Sequence, residues 1–156
     1  MKKNIFVALD FSNFDKALNV ANMVKDYAAG LKITNELFAN CGKEGIKKFY
    51  DLGLEIFLDL KIFDIPNTVK KTVASISSLK TVKYLTLHTS GGYEMLVAAK
   101  ELSNQIELLG VTVLTSQSSS QEQVKSLINL AIKSNLNGVI VSAQEYKLVR
   151  SLSKNL

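Results

Sequence analysis

Short runs of hydrophobic residues alternate along the chain with segments whose hydrophobic positions recur at helical spacing. The runs begin near Ile5, Gly30, Leu54, Lys83, Leu109 and Gly138, at intervals of 24 to 29 residues. Helical spacing is clearest in Asp15–Tyr27, Asn67–Leu79 and Ser120–Lys133. Ser12 or Asn13 could cap the first of these, and Ser118–Ser120 is interpreted as a loop and helix cap for the last. Strands separated by helices of this length predict βαβ units and a parallel sheet, so we expect an α/β fold.

Polar side chains occur at the carboxyl end of almost every predicted strand. They are Asp10, Lys32, Asp59 with Lys61, His88, Thr115 with Ser116, and Ser142. Barrel enzymes built from eight βα units place their active sites on this face. A doubly wound nucleotide-binding sheet would instead have a glycine-rich loop after its first strand, whereas Phe11–Phe14 contains no glycine. The sequence therefore favours a parallel (βα)8 TIM barrel.

The length of the chain fits about six of the eight βα units. Residues 1–156 contain no proline-rich or low-complexity linker, which predicts a single domain. A closed barrel of eight usually needs about 200 to 250 residues, and this sequence ends where a seventh strand should begin. We therefore expect an incomplete barrel domain over 1–156, either because the sequence is truncated or because another chain completes the sheet.

Composition and charge narrow the possible classes of function. No apolar run is long enough to span a bilayer, and the first three residues lead into a strand rather than a signal peptide, so we expect a cytoplasmic protein without a membrane partner. The net charge of +5 comes from scattered lysines with no interleaved aromatics, which argues against a nucleic-acid partner. The single cysteine, Cys41, has no companions at zinc-ligand spacing and is interpreted as a packed thiol.

The richest chemistry lies in residues 59 to 68, at the end of the third predicted strand. Alternation along the strand puts Asp59 and Lys61 on one face, and Asp64 follows in the loop before Pro66 opens a helix. Ionisable side chains are rarely buried unless they are paired. Two acids and a base beside the hydrophobic run 56–58 therefore indicate a site rather than a charged surface turn.

Residues 59 to 68, Asp-Leu-Lys-Ile-Phe-Asp-Ile-Pro-Asn-Thr, resemble the signature of the orotidine 5'-phosphate decarboxylase family. Segments 7–10, 30–32, 88–92 and 111–116 resemble further strand ends of that family. The resemblance covers the whole chain but only about the first two thirds of the family's barrel. The phosphate-gripping loops that the family carries after strands seven and eight have no counterpart in 1–156, and Ile62-Phe63 replaces a Phe-His pair common in bacterial members.

The resemblance implies decarboxylation of orotidine 5'-monophosphate to UMP, with no cofactor and no metal. Lys61 would protonate C6 of the ring as carbon dioxide leaves, and Asp59 would lie near the departing carboxylate. Lys32 and Asp64 would complete an alternating charge network, with Asp64 reaching the partner's site in a homodimer. Substrate contacts are expected from Asp10, Lys32, Asp59, Lys61, Asp64, Ile65, Thr68 and Thr115.

Two alternatives stay open. A sister sugar-phosphate enzyme, of the hexulose-phosphate synthase or keto-gulonate-phosphate decarboxylase type, would use magnesium and favour an acid at the end of the second strand, where the chain has Lys32 and Thr34, with Glu36 one turn later. A non-catalytic barrel remnant would retain the charged site residues but lack the loops that bind the substrate phosphate. Among the other polar residues, His88 is interpreted as structural, Gly91-Gly92 as either a tight turn or a phosphate cradle, and Ser142 as packing or turn chemistry.

Overall fold

The computed structural model describes residues 4–154 and 156. Over these residues six strands alternate with six α-helices: β1 Phe6–Leu9, α1 Phe14–Val24, β2 Gly30–Thr34, α2 Asn35–Tyr50, β3 Glu55–Ile62, α3 Pro66–Ser77, β4 Val82–His88, α4 Tyr93–Glu101, β5 Glu107–Val111, α5 Gln121–Lys133, β6 Gly138–Ile140 and α6 Tyr146–Leu152. Short 3-10 turns precede α4 and α6. The predicted βα repeat is confirmed. None of the helices described here is both long and apolar enough to cross a membrane.

The strands follow one another in the sheet in the order of the sequence, from β1 to β6. β1 and β2 are parallel and pair Ala8 with Lys32, while β2 and β3 are parallel and pair Lys32 with Phe57. β5 and β6 are likewise parallel, with Val111 opposite Ile140. Parallel neighbours joined by helices in simple sequence order are the arrangement of a TIM barrel, and this chain supplies six βα units of that fold.

The residues group into two compact units. The first unit runs up to Leu60 and includes Leu79–Leu85, and the second comprises Lys61–Ser78 and Thr86–Leu156. The division falls inside β3 and β4, where no change in composition marks a linker. The assignment of 1–156 to a single domain stays a prediction.

The first unit buries leucine and isoleucine side chains on one face of its strands. Leu31, Ile33, Ile56 and Leu58 are fully buried, and α1 and α2 contribute Ala17, Ala21, Leu37, Ile46 and Phe49 to this core. Burial of one such large side chain stabilises a fold by about 1.5–3 kcal/mol. On the other face the rings of Phe6, Phe57 and Tyr84 meet edge-on, with centroids 5.4–6.0 Å apart. Lys32 pairs in register with Phe57 and therefore belongs to this second face.

Helix ends in both units follow the predicted cap chemistry. The side chain of Asn13 accepts a hydrogen bond from the Lys16 amide at 2.9 Å, and that of Ser120 accepts one from the Gln123 amide at 3.2 Å. Pro66 occupies the first turn of α3, where its missing N–H is not required. In the second unit α5 and α6 pack through a buried cluster of Val124, Ile128 and Val149.

Three predicted strand ends need correction. β5 ends at Val111, so Thr115 and Ser116 lie beyond it, inside a turn in which the Gln117 amide donates to the Leu114 carbonyl at 2.8 Å. Val111 is opposite Ile140, the last residue of β6, so the ladder between the two strands ends there. β6 likewise ends two residues before Ser142, and Lys32 lies in the middle of β2 because that strand continues to Thr34.

Candidate active site

Three predicted site residues come together in the first unit. The Lys32 Nζ atom lies 3.4 Å from Oδ2 of Asp59 and 3.9 Å from Oδ1 of Asp10. The strand register explains this proximity. Thr34 is opposite Asp59, and Lys32 lies two residues before Thr34 on β2, so its side chain is on the same face of the sheet. Asp10 is the first residue after β1, the neighbour of β2. One ammonium thus lies close to two carboxylates, one on β3 and one directly after β1.

Burial of these three side chains increases towards β3. Asp59 retains only 12% side-chain exposure, compared with 27% for Lys32 and 70% for Asp10. A carboxylate removed from water is costly unless a cation or hydrogen-bond donors compensate for the lost hydration. The Lys32 ammonium provides such compensation for Asp59, and the exposed Asp10 keeps one edge of the group open to solvent. An ammonium and two carboxylates in this arrangement can form hydrogen bonds with a polar ligand.

Lys61 has an unusual backbone conformation. Its φ is +47°, in the left-handed region, although it lies within β3. Its amide donates a hydrogen bond of 2.8 Å to the side-chain Oγ1 of Thr86 on β4. The backbone at Lys61 therefore departs from regular strand geometry, and the common face of Asp59 and Lys61 stays a prediction.

The segment after Lys61 exposes one acid between two hydrophobic residues. Asp64 accepts a hydrogen bond from the following Ile65 amide through Oδ1 at 2.7 Å, which orients the carboxylate just before α3 begins. Phe63 and Ile65 are 62% and 66% exposed. Thr68, in the first turn of α3, is exposed as well. This segment presents groups suited to contact with a ligand or a second protein chain.

Thr115, the predicted substrate contact from the fifth βα unit, borders a cleft in the second unit. The cleft has a volume of about 440 Å³ and is also lined by Ser142 and Glu145. A larger cleft of about 520 Å³, lined by parts of α5 and α6 and by the loops before them, shares Ser142 and Glu145 with the first and includes none of the residues assigned to the catalytic site or the substrate. A third, of about 350 Å³, includes Phe63 and His88. The larger cleft is not a candidate catalytic site, because none of the predicted catalytic acids or bases lines it.

The comparisons with known proteins agree on one family. The profile of the orotidine 5'-phosphate decarboxylase / HUMPS family matches residues 3–155. The orotidine 5'-phosphate decarboxylase of Idiomarina loihiensis is 39% identical over 94% of this chain and 69% of its own length. That of Wolbachia pipientis is 40% identical over 94% of this chain and 70% of its own. The chain belongs to the orotidine 5'-phosphate decarboxylase / HUMPS family.

A solved member of the family has the same fold. The crystal structure of orotidine 5'-phosphate decarboxylase from Lactobacillus acidophilus superposes with a TM-score of 0.88 at 32% identity, covering 99% of this chain and 79% of that one. The resemblance read from residues 59–68 is therefore confirmed at the level of the family. The roles assigned to individual site residues stay predictions.

Other polar residues have structural surroundings. The His88 ring lies edge-on to Phe63, with centroids 6.2 Å apart, which agrees with a structural interpretation. The Gly92 amide donates to the Thr89 carbonyl at 3.1 Å and Gly92 has a φ of +88°, so Gly91-Gly92 forms a tight turn. Ser142 and Glu145 form a capping box at the turn before α6, as expected of turn chemistry.

Two features of this family member were missed from the sequence. The contact between the Lys61 amide and Thr86 has no sequence signal, since Thr86 reads as an ordinary β-branched residue between Leu85 and Leu87. The aromatic face formed by Phe6, Phe57 and Tyr84 could have been found from strand alternation around Phe57. Within residues 4–154 and 156, no group of three or more histidine, cysteine or acidic side chains is placed to hold a metal ion.

Proposed function

We propose that this chain decarboxylates orotidine 5'-monophosphate to UMP, with Lys61 as the proton donor. The observation that carries the proposal is the placement of Lys32 between Asp59 and Asp10, with Lys61 following Asp59 by two residues on β3. Membership of the family supports it, because the relatives at 39% and 40% identity are orotidine 5'-phosphate decarboxylases. The substrate is a small anion, which suits a chain of net charge +5 acting in the cytoplasm without nucleic acid.

The proposed chemistry needs a cation beside one carbon atom. When the bond between C6 and the carboxylate breaks, its electron pair stays on C6 and carbon dioxide leaves. The ammonium of Lys61 stabilises the negative charge as it develops and then transfers one proton to C6, which gives UMP and a neutral amine. Preorganised charge of this kind is usually the largest single contribution to catalysis.

Asp59 and Lys32 have distinct roles in this proposal. Asp59, which is largely buried, would face the substrate carboxylate, and two like charges about 4 Å apart repel by about 4 kcal/mol at an effective dielectric constant near 20. The repulsion is relieved when carbon dioxide leaves. Lys32 would compensate for the lost hydration of the buried Asp59 carboxylate and, together with Asp10, would bind the ribose hydroxyls. Ile65, Thr68 and Thr115 would line the rest of the ligand site.

The magnesium-dependent sister reaction is less well supported by the same residues. It would favour an acid at the end of β2 that could bind the metal, yet the side chain of β2 that meets Asp59 is the ammonium of Lys32. A second cation would compete with Lys32 for the two carboxylates. Glu36, one turn into the next helix, is exposed in the first turn of α2. The charge pattern therefore favours a site in which lysine ammonium groups, rather than a magnesium ion, neutralise the carboxylates.

A homodimer is part of the proposal. Asp64 stands between Phe63 and Ile65, whose exposed hydrophobic side chains would be buried by a second copy of the chain. A carboxylate framed by such a contact surface is well placed to enter the partner's site. Asp64 would then complete the alternating charges around the partner's Lys61.

The test is release of carbon dioxide from carboxyl-labelled orotidine 5'-monophosphate by the purified chain, in buffer containing EDTA. We expect turnover that EDTA does not inhibit and that is lost in Lys61→Ala. Magnesium-dependent activity on a sugar phosphate, with no release from orotidine 5'-monophosphate, would support the sister enzyme instead. Binding of UMP without turnover, measured by calorimetry, would identify a non-catalytic remnant.

A further inference from the structure

Lys61 has a left-handed backbone where a strand is otherwise regular. Among the described residues, Lys80, Asn104 and Asn135 also have positive φ without being glycine, but they lie in turns between elements. Lys61 alone of these four belongs to a strand. In a residue other than glycine, a left-handed backbone is unfavourable and persists when the surrounding structure stabilises it. Something next to Lys61 must therefore stabilise the conformation.

Thr86 is the neighbour that can do so. It is fully buried in the middle of β4, and its Oγ1 accepts the Lys61 N–H at 2.8 Å. A buried backbone N–H without a partner is strongly disfavoured, so the hydroxyl favours those conformations of Lys61 that direct the amide towards it. The turn of the backbone at Lys61 in turn determines where its Cβ, and so its side chain, points.

We propose that Thr86 is a positioning residue that fixes the backbone of Lys61 and thereby aims its ammonium at the reacting carbon. The catalytic part rests on the proposed role of Lys61, whereas the fixation of the backbone does not. Loss of the hydroxyl should leave substrate binding nearly intact, because Thr86 is fully buried and is not among the residues assigned to contact the substrate. It should slow the chemical step, because proton donors act only within a narrow range of positions.

The experiment compares Thr86→Val with Thr86→Ser and Thr89→Val. Valine keeps the shape of threonine without the acceptor, and serine keeps the acceptor. Thr89 is also fully buried and its Oγ1 donates to the Val111 carbonyl at 2.8 Å, so Thr89→Val removes a comparable hydroxyl that does not contact Lys61. Hydrogen exchange of the Lys61 amide, measured by NMR, and steady-state kinetics with orotidine 5'-monophosphate are the two measurements.

In Thr86→Val we expect exchange at Lys61 to accelerate about tenfold or more and kcat to fall about 10- to 100-fold, with KM within about threefold of wild type. Thr86→Ser should restore both, and Thr89→Val should leave exchange at Lys61 unchanged. Unchanged exchange in Thr86→Val, or a loss confined to KM, would overturn the proposal. If Thr86→Val does not fold, the exchange measurement uses the wild type and Thr86→Ser. Protection of the Lys61 amide from exchange in both proteins would then support the proposal, and an unprotected Lys61 amide in the wild type would overturn it. A wild type without decarboxylase activity would refute the proposed function, while the exchange comparison would still decide whether Thr86 fixes Lys61.

Discussion

The ammonium of Lys32 lies 3.4 Å from Oδ2 of Asp59, a carboxylate whose side chain is only 12% exposed. The two residues lie on neighbouring strands. Lys32 is opposite Phe57, which precedes Asp59 by two residues, so both side chains are on the same face of the sheet. A second ion pair in the same unit, Lys83 with Glu55 at 2.7 Å, has side chains that are 37% and 43% exposed. The two pairs provide an internal comparison of a buried and an exposed interaction.

Lys32→Met is expected to destabilise the chain by about 1–3 kcal/mol, because it removes the ammonium that lies 3.4 Å from the largely buried Asp59 carboxylate. Methionine preserves most of the apolar length of lysine, so the loss reports the charge rather than the packing. The measurement is urea unfolding at neutral pH. Lys83→Met is the matched control and should cost less than about 1 kcal/mol. Equal losses in the two variants would show that Asp59 does not depend on Lys32.

The contact between Lys32 and Asp59 could be anticipated from the sequence, but the conformation of Lys61 could not. The βα repeat depends on hydrophobic periodicity, which is local, and parallel strands of adjacent units bring their carboxyl ends together. The positive φ of Lys61 depends on a hydroxyl of Thr86, 25 residues away in the chain. The early end of β5 was missed for a similar reason, because Val111 is paired with Ile140, the last residue of the neighbouring β6. Both features depend on contacts between elements.

Lys61→Ala is expected to abolish measurable turnover of orotidine 5'-monophosphate, a loss of at least about 10⁴-fold in kcat, since it removes both the stabilising cation and the proton donor. The control is Lys80→Ala, because Lys80 also has a positive φ, of 55°, but lies in a turn before β4. Carbon dioxide release at saturating substrate is the measurement. A Lys61→Ala variant with a near-normal rate would refute the role assigned to this residue.

Replacement of Lys61 by glycine tests its backbone conformation independently of activity. Glycine adopts positive φ without steric cost, whereas a residue with a Cβ is disfavoured there by about 1–2 kcal/mol. Lys61→Gly should therefore be more stable than Lys61→Ala by about 1 kcal/mol in urea unfolding, after part of the gain is offset by the flexibility of unfolded glycine. The same order is expected for Lys80→Gly and Lys80→Ala. A Lys61→Gly variant less stable than Lys61→Ala would contradict the left-handed conformation.

Burial raises the pKa of the Cys41 thiol above its ordinary value of 9.0, and a hydrogen bond to the backbone offsets only part of this effect. Less thiolate is therefore present at pH 8 than in an unfolded chain, and alkylation by iodoacetamide should be slower in the native protein than in urea. Because the folded-state pKa is the higher one, the stabilisation from Cys41 is complete below pH 9 and is lost as pH rises through the raised pKa. Equal alkylation rates in native and unfolded protein would contradict the raised pKa.

Mixing two inactive variants tests whether Asp64 acts in the partner's site. Homodimers of Lys61→Ala and of Asp64→Ala should each lack one required group in both sites. If each site combines Lys61 of one chain with Asp64 of the other, a mixed dimer has one site lacking both groups and one complete site. Random exchange of equal amounts makes half of the dimers mixed, so activity should recover to about a quarter of wild type.

The control for this experiment replaces Asp64→Ala by the double variant Lys61→Ala/Asp64→Ala. Every site of its mixed dimers with Lys61→Ala lacks the proton donor, so no activity should return even though the subunits exchange to the same extent. Differently tagged chains recovered together by affinity capture would establish that exchange has occurred. Exchange without recovery of activity in the Lys61→Ala and Asp64→Ala mixture would mean that Asp64 serves the site of its own chain. The exposed Phe63 and Ile65 would then frame a contact surface that is separate from catalysis.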